Sequence, residues 1–198
     1  MIIISLGSNV TSRWGDSAIT ILTALKCLKR HNVQIQGRSH LYRTAPYGPT
    51  RQPNFINAVA LISTPLPPLA LLSLFKIIET KAGRVPSMRR WGPRPLDIDI
   101  LDYKRLIINW AKPDKQAYKY MQLTLILPHP GIASRAFVLR PLAEILPYWH
   151  HPVSGLNATQ MLKRLSAVQM GRVLEVIDGD LSLSGKQQSL NTAEKIAN

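Results

Sequence analysis

Acidic residues are scarce in this chain. Asp and Glu together number 11 against 25 Lys and Arg, which gives a formal net charge of +14 over 198 residues. Such an excess favours an anionic partner, whether nucleotide phosphate, nucleic acid or a membrane surface, and by itself does not choose among them. Cysteine is also nearly absent: Cys27 stands alone, which excludes an internal disulfide and indicates a buried thiol in a reducing, cytoplasmic setting.

Long apolar runs and the familiar nucleotide-binding motifs are missing as well. No stretch reaches the roughly 18 consecutive apolar residues of a membrane span, and the opening MIIISL is interpreted as a first strand rather than a signal or an anchor. We find no internal repeat, no metal-type Cys/His cluster, no P-loop and no Rossmann glycine signature. The length and the 45% apolar composition are those of one well-buried domain.

The spacing of the apolar residues predicts an alternation of strands and helices over the first hundred residues. In order, the predicted elements are strand 2–6, helix 16–30 with Asp16 as its cap, strand 33–42 with a break at Gly37, strand 55–62, helix 67–83 and strand 96–100. This β-α-β-β-α-β order is that of an α+β, ferredoxin-like antiparallel sheet with both helices on one face. Fold alone says nothing of function.

The remaining segments are predicted to be short helices, loops and a tail. Residues 1–165 are expected to form the domain, with short helices within 134–146 and 158–165, and 166–198 a C-terminal extension that is partly disordered. A polar insertion occupies 109–122. The proline-rich stretch RTAPYGPTRQPN, residues 43–54, has no regular structure over about a dozen residues and is interpreted as a binding loop.

Two carboxylates in the stretch WGPRPLDIDI give the clearest chemical signal. Asp97 and Asp99 alternate with apolar residues, so on a strand their side chains point the same way, about 7 Å apart. Mg²⁺ usually takes one or two protein carboxylates, while arginine forks grip phosphate oxygens. Arginines precede the pair at positions 84, 89, 90 and 94. The residues therefore predict a Mg²⁺ and phosphate site for phosphoryl transfer, with a structural ion-pair cluster or a nucleic-acid patch as alternatives.

Four segments, taken in order, resemble the 6-hydroxymethyl-7,8-dihydropterin pyrophosphokinase family. They are SLGSN (5–9), YRTAPYGPTRQPNFINAV (42–59), GRV (83–85) followed by RRWGPRPLDIDIL (89–101), and LPHPGIASRAFVLRPLAEI (127–145). The resemblance runs from about Ile2 to Leu165. It implies a cytoplasmic enzyme of folate biosynthesis that transfers pyrophosphate from ATP to the hydroxymethyl oxygen of the pterin and releases AMP.

The resemblance also implies roles for individual residues. Asp97 and Asp99 would bind two Mg²⁺ ions, and Arg84 and Arg94 would be catalytic phosphate ligands beside them. The implied ATP contacts are Glu79, Arg84, Trp91, Arg94, Ile100, His129 and Arg135. The implied pterin contacts are Thr44, Pro46, Tyr47, Phe55, Asn57, Trp91 and Phe137, with the pterin stacked between the two phenylalanines. No residue in these motifs is an obvious general base, and none is assigned.

The sequence departs from the family in four respects. Pro86 stands where many members carry an arginine, the insertion at 109–122 and the tail beyond Leu165 are both extra, and the charge of +14 exceeds what one ATP site needs. Two rival hypotheses follow: a basic ferredoxin-like module that binds nucleic acid, and a non-catalytic paralogue that keeps the pterin pocket. For the pyrophosphokinase we expect ATP and hydroxymethyldihydropterin as partners, no membrane insertion, and a monomer or a weak dimer.

Overall fold

The structure, a computed structural model, describes residues 1–46, 51–85, 92–110, 125–165 and 171–177. The strands are β1 (Ile2–Ser8), β2 (Gln34–Arg38), β3 (Leu41–Thr44), β4 (Phe55–Ser63), β5 (Asp97–Tyr103) and β6 (Val173–Ile177). The helices are α1 (Ser17–Arg30), α2 (Pro68–Lys81), α3 (Ala136–Ile145) and α4 (Ala158–Arg164). Within these ranges no helix combines the length and the apolar character that crossing a bilayer requires.

The described strands form one antiparallel sheet. Its spatial order is β5-β1-β4-β3-β6, and β2 pairs with the C-terminal half of β4, beyond the part that pairs with β3. The predicted α+β, ferredoxin-like arrangement is confirmed. Because β1 and β5 are antiparallel neighbours, with Gly7 opposite Asp97, the end of β1 and the start of β5 lie together at one end of the sheet.

The strand predicted over 33–42 is two strands in the structure. Both pair with β4. The pairing is interrupted at Ser39, whereas at Gly37, the predicted break, only the register of the pairing shifts. Ser39 keeps the ladder satisfied across the gap: its N–H donates to the Val59 carbonyl at 2.9 Å, and its Oγ accepts from the Val59 N–H at 3.0 Å. A hydroxyl thus replaces a backbone acceptor, which lets the chain bend without leaving a buried N–H unpaired.

Helices α1 and α2 cover one face of the sheet, as predicted. The Asp16 side chain caps α1 by accepting from the Ile19 N–H at 2.9 Å. Alternate residues of β1, Ile2, Ile4 and Leu6, point into the core beneath the two helices. Phe75 of α2 is fully buried in that core, and truncating such a side chain to alanine costs about 3–5 kcal/mol.

Helices α3 and α4 cover the opposite face, over Ile3, Val59 and Leu101. Both short helices were predicted, and both are confirmed. Trp149, which follows α3, is tied to the sheet because its Nε1–H donates to Asp102 at 2.8 Å.

The C-terminal extension contributes β6, which lies along the outer edge of β3. The insertion beyond Trp110 and the polar tail from Gly179 lie outside the described residues.

Candidate active site

Asp97 and Asp99 lie on the first residues of β5 and point to the same face of the sheet. The isoleucine between them is buried toward α1 and α2, so the period of two sends both carboxylates to the other face. Gly7 and Ser5 of β1 stand opposite them. The two side chains are 28% and 31% exposed, at the floor of an open cleft.

Two arginines hold Asp97. Arg84 Nη1 lies 2.5 Å and Arg94 Nη1 lies 3.0 Å from the same atom, Asp97 Oδ1. Burial alone would raise the pKa of Asp97, but the two guanidinium groups outweigh it and the pKa is lowered. Asp97 is therefore ionised throughout the neutral range, as a metal ligand must be.

Glu79 of α2 supports this arrangement from the buried side. It is 1% exposed, accepts hydrogen bonds from the Ile98 N–H at 2.8 Å and from Lys76 at 2.8 Å, and forms an ion pair with Arg84 at 2.6 Å. Burial raises the pKa of Glu79 and the charge of Asp97 adds to the rise, while Lys76 and Arg84 oppose it. Arg84 thus bridges two carboxylates, and Glu79 fixes both that arginine and the start of β5.

His129 approaches the other carboxylate. Its backbone N–H donates to the Leu101 carbonyl at 2.8 Å, and its Nδ1 accepts from the Gly131 N–H at 2.9 Å. Because Nδ1 is an acceptor, the ring proton of the neutral form sits on Nε2, 3.8 Å from Asp99 Oδ2. Burial lowers the pKa of His129, although Asp99 acts against it. The ring therefore presents a neutral N–H donor near Asp99.

Arg135 approaches the cleft from the residue that precedes α3. Its guanidinium packs against Gly131, where an added Cβ would lie 2.5 Å from Arg135 Nε, and its Cζ lies 5.7 Å from the centre of the Phe137 ring. A glycine at 131 is what gives this side chain its room. Arg135 thereby brings a second positive charge to the lining of the cleft, beside that of Arg94, while Arg84 contacts Asp97 without lining the cleft.

Toward β3 and β4 the cleft carries aromatic and amide groups. Phe55 of β4 and Phe137 of α3 both line it. Asn57 is 6% exposed and donates through Nδ2 to Thr44 Oγ1 at 2.8 Å, which fixes the orientation of its amide. The Asn57 oxygen lies against Gly7, where a Cβ would come within 2.8 Å. A larger residue at position 7 would displace the amide.

The cleft is open to solvent and, counted together with the solvent space at its mouth, measures about 700 Å³. It brings together eight of the predicted residues, namely Thr44, Phe55, Asn57, Arg94, Asp97, Asp99, Arg135 and Phe137. Six residues without an individually predicted role also line it: Ser5, Leu6, Gly7, Ala45, Gln52 and Gly92. All six belong to the segments that carry the family resemblance (5–9, 42–59 and 89–101), so the sequence signal was present without a role attached to each residue.

Other predicted residues lie elsewhere. Ile100 is 3% exposed in the core under α1 and α2, so a nucleotide in the cleft could meet only its backbone. Pro46 is half-buried directly after the lining residue Ala45. Tyr47 and Trp91 lie outside the described residues, as do Pro86, Arg89 and Arg90.

Asn9 is a further residue of the site that the sequence did not single out. It is 4% exposed, and its Nδ2 donates to Gln52 Oε1 at 3.0 Å and to the Pro53 carbonyl at 3.1 Å. Its Oδ1 accepts from the Arg94 N–H at 2.7 Å. One amide therefore joins the loop that leads to Phe55 with the loop that carries Arg94.

The carboxylates suit a hard divalent cation. Across the described ranges there is no cluster of three or more His, Cys, Asp or Glu that could enclose a metal ion. Two carboxylates beside arginines are the protein ligands typical of Mg²⁺ bound together with substrate phosphate. Asp97 and Asp99 are the residues that could hold such an ion.

Comparison with known proteins identifies one family that matches most of this chain. The family model described as 7,8-dihydro-6-hydroxymethylpterin-pyrophosphokinase (HPPK) matches residues 3–147. A 2-amino-4-hydroxy-6-hydroxymethyldihydropteridine pyrophosphokinase of Methylorubrum extorquens is 41% identical over 86% of this chain and 96% of its own length. The protein of that name from Haemophilus influenzae is 38% identical over 84% of this chain and 94% of its own length.

Larger proteins match through one part only. The chain spans 31% of the length of a mitochondrial folate synthesis bifunctional protein of Arabidopsis thaliana, to which it is 34% identical over 89% of its own length. The wild-type HPPK-DHPS crystal structure from Plasmodium falciparum superposes with a TM-score of 0.59 at 17% identity, over 82% of this chain and 44% of that one. That likeness shows the fold alone. From the family model and the two bacterial relatives, this chain belongs to the 7,8-dihydro-6-hydroxymethylpterin-pyrophosphokinase (HPPK) family.

Proposed function

We propose that the protein transfers pyrophosphate from ATP to the hydroxymethyl group of 6-hydroxymethyl-7,8-dihydropterin, releasing AMP, with Mg²⁺ held by Asp97 and Asp99. The observation that carries the proposal is that one cleft holds two carboxylates, arginines and a pair of phenylalanines beside an oriented amide. Its two ends suit different molecules. The charged end matches a triphosphate with its metal, and the aromatic end matches a flat heterocycle.

The charged end positions the phosphates. Arg94 and Arg135, which line the cleft together with Asp97 and Asp99, offer guanidinium forks, and His129 offers a neutral Nε2–H donor. Arg84, held by Glu79 and Asp97, places a further positive charge beside them. Mg²⁺, when bound, would neutralise phosphate charge and polarise the attacking hydroxyl. Transfer then depends mainly on in-line placement, which needs no general base from the protein.

The aromatic end positions the acceptor. Phe55 and Phe137 would receive the two faces of the pterin ring. Because the Asn57 Nδ2–H₂ group donates to Thr44, the Asn57 oxygen is held in one orientation. In that orientation it would accept hydrogen bonds from the donors on the amidine edge of the ring. The hydroxymethyl group would then point toward Asp97 and Asp99, at the charged end of the same cleft.

Identification of the nucleotide product tests this function. The full chain, supplied with ATP, Mg²⁺ and hydroxymethyldihydropterin, should yield AMP and a pterin diphosphate, resolved by ion-exchange chromatography. ADP as the product, or no turnover, would contradict the proposal. Pterin binding that is indifferent to Mg²⁺ and ATP, without turnover, would indicate the non-catalytic paralogue instead.

Variants locate the metal ligands. Asp97→Asn and Asp99→Asn should each lower kcat at least about a hundredfold, because a neutral amide is a poor Mg²⁺ ligand. The matched control is Asp16→Asn, which removes one carboxylate that does not line the cleft and keeps a good helix cap. The control should retain turnover. If either cleft variant keeps the turnover of the control, that aspartate is not a metal ligand.

A further inference from the structure

β6 extends the sheet from a part of the chain that the family model does not reach. The model match ends at residue 147, whereas β6 spans Val173–Ile177. The strand runs antiparallel to β3, with Leu41 opposite Ile177 and Thr44 opposite Val173. It therefore gives β3, which is only four residues long, its second neighbour in the sheet.

The pairing continues past the end of β3 into the cleft wall. The Ala45 N–H donates to the Arg172 carbonyl at 2.9 Å, and Ala45 lines the cleft. One residue before Thr44, Arg43 Nε lies 2.9 Å from Glu175 Oε2. That ion pair is exposed and weak, but it joins two residues that stand opposite each other in the β3–β6 pairing. β6 thus holds the chain on both sides of Thr44.

Thr44 and Phe137 connect this strand to the aromatic end of the cleft. Thr44 is 1% exposed and its hydroxyl accepts from Asn57, so the position of β3 sets the orientation of that amide. Helix α3, which carries Phe137, also contacts both β3 and β6. The two carboxylates of the charged end, by contrast, lie on β5, which is at the opposite edge of the sheet with β1, β4 and β3 between it and β6.

We propose that β6 is a positioning element for the pterin subsite and not for the nucleotide subsite. The inference rests on the function proposed above. A short strand without a second neighbour frays at its ends, and its backbone groups then bond to water. Loss of β6 would loosen Thr44 and Ala45, and with them the Asn57 amide, while Asp97, Arg84 and Arg94 would keep their supports.

Two truncations of the full chain test this. One removes residues 171–198 and so deletes β6, and its matched control removes only 178–198 and keeps β6. Affinity for 6-hydroxymethylpterin is read from its fluorescence in the presence of Mg²⁺ and α,β-methylene-ATP, and affinity for the nucleotide analogue is measured separately. Deleting β6 should weaken pterin binding at least about tenfold and leave nucleotide binding within about twofold.

A point variant keeps the test decisive if the shorter chain does not fold. Gly171 is buried with φ +80°, directly before Arg172, so Gly171→Ala strains the approach to β6. Gly155, at φ +69° with open space around it, supplies the control Gly155→Ala, which also places an alanine at positive φ but does not touch β6 or the cleft lining. Gly171→Ala alone should weaken pterin binding, by about threefold or more.

The outcomes separate the two proposals. Equal weakening of pterin and nucleotide binding, or unchanged pterin affinity in both the 171–198 deletion and Gly171→Ala, would overturn the role of β6. Failure of the unaltered full chain to bind either ligand would instead count against the proposed function.

Discussion

Asn9 and Arg94 are joined by two hydrogen bonds that run in opposite directions. The Asn9 N–H donates to the Arg94 carbonyl at 3.0 Å, and the Arg94 N–H donates to Asn9 Oδ1 at 2.7 Å. Since the same side chain also donates to Gln52 and Pro53, the two loops that border the cleft are fixed to each other through one buried residue.

Replacing Asn9 should therefore harm both subsites. Asn9→Ala removes three side-chain hydrogen bonds, and we expect kcat/KM for both substrates to fall about tenfold or more. Asn9→Asp keeps the acceptor for Arg94 but loses the donors to Gln52 and Pro53, so its pterin KM should rise more than its ATP KM. Asn157→Ala, which removes the cap of α4, is the control: it should lower stability with kcat/KM unchanged.

Glu79→Gln should lower stability and raise the KM for ATP together. The carboxylate is 1% exposed, accepts hydrogen bonds from Lys76 and the Ile98 N–H and forms an ion pair with Arg84, so the variant should lose about 1.5–3 kcal/mol of unfolding free energy in urea. The KM for ATP should rise because Arg84 loses a partner. Glu144→Gln, at a partly exposed carboxylate that bonds to His40 and Tyr42, should cost less. A raised KM with unchanged stability would instead indicate that Glu79 contacts the nucleotide directly.

Phe137→Leu should weaken pterin binding without affecting the nucleotide. Loss of one stacked ring is worth about 0.5–1.5 kcal/mol, or roughly a 2- to 13-fold rise in Kd. Fluorescence titration of the pterin measures it. Phe75→Leu, in the core beneath α1 and α2, gives the opposite pattern, with lower stability and unchanged pterin affinity. Equal pterin affinity in both variants would mean that the Phe137 ring does not contact the substrate.

His151 should make the protein less stable in mild acid. It is 3% exposed, its Nδ1 accepts from the Val153 and Ser154 N–H groups, and burial lowers its pKa from the ordinary value near 6.5. Below about pH 6.5 the unfolded chain takes up a proton that the folded chain resists, so this contribution is present above that pH and is lost as the pH falls.

The variant His151→Asn keeps an acceptor and cannot titrate. Its unfolding free energy should therefore change less between pH 7 and pH 5 than that of the unaltered chain, measured by urea denaturation at each pH. The neighbouring exposed residue supplies the control His150→Asn. If the control flattens the pH dependence as much as His151→Asn does, burial of His151 is not the cause.

Much of the fold follows from local patterns. The run 2–6 predicts β1, the 3.6-residue period and Asp16 predict α1, and Pro67-Pro68 with Gly83 brackets α2. Each of these signals lies within one element, where spacing and capping act over a few residues. The elements that were not foreseen depend on distant partners. The division at Ser39 needs Val59, and β6 needs β3, more than 120 residues earlier in the chain.

The sequence by itself determined that Asp97 and Asp99 share one face of a strand beside arginines, because alternation is a property of the strand alone. It also carried the family motifs, although Asn9 stood in one of them without a role. Only the tertiary structure decided which partners those residues meet. Arg84 lies between Glu79 and Asp97, Asn9 joins Gln52 to Arg94, and β6 supports Thr44, since such contacts arise from strand order and packing between segments far apart in the chain.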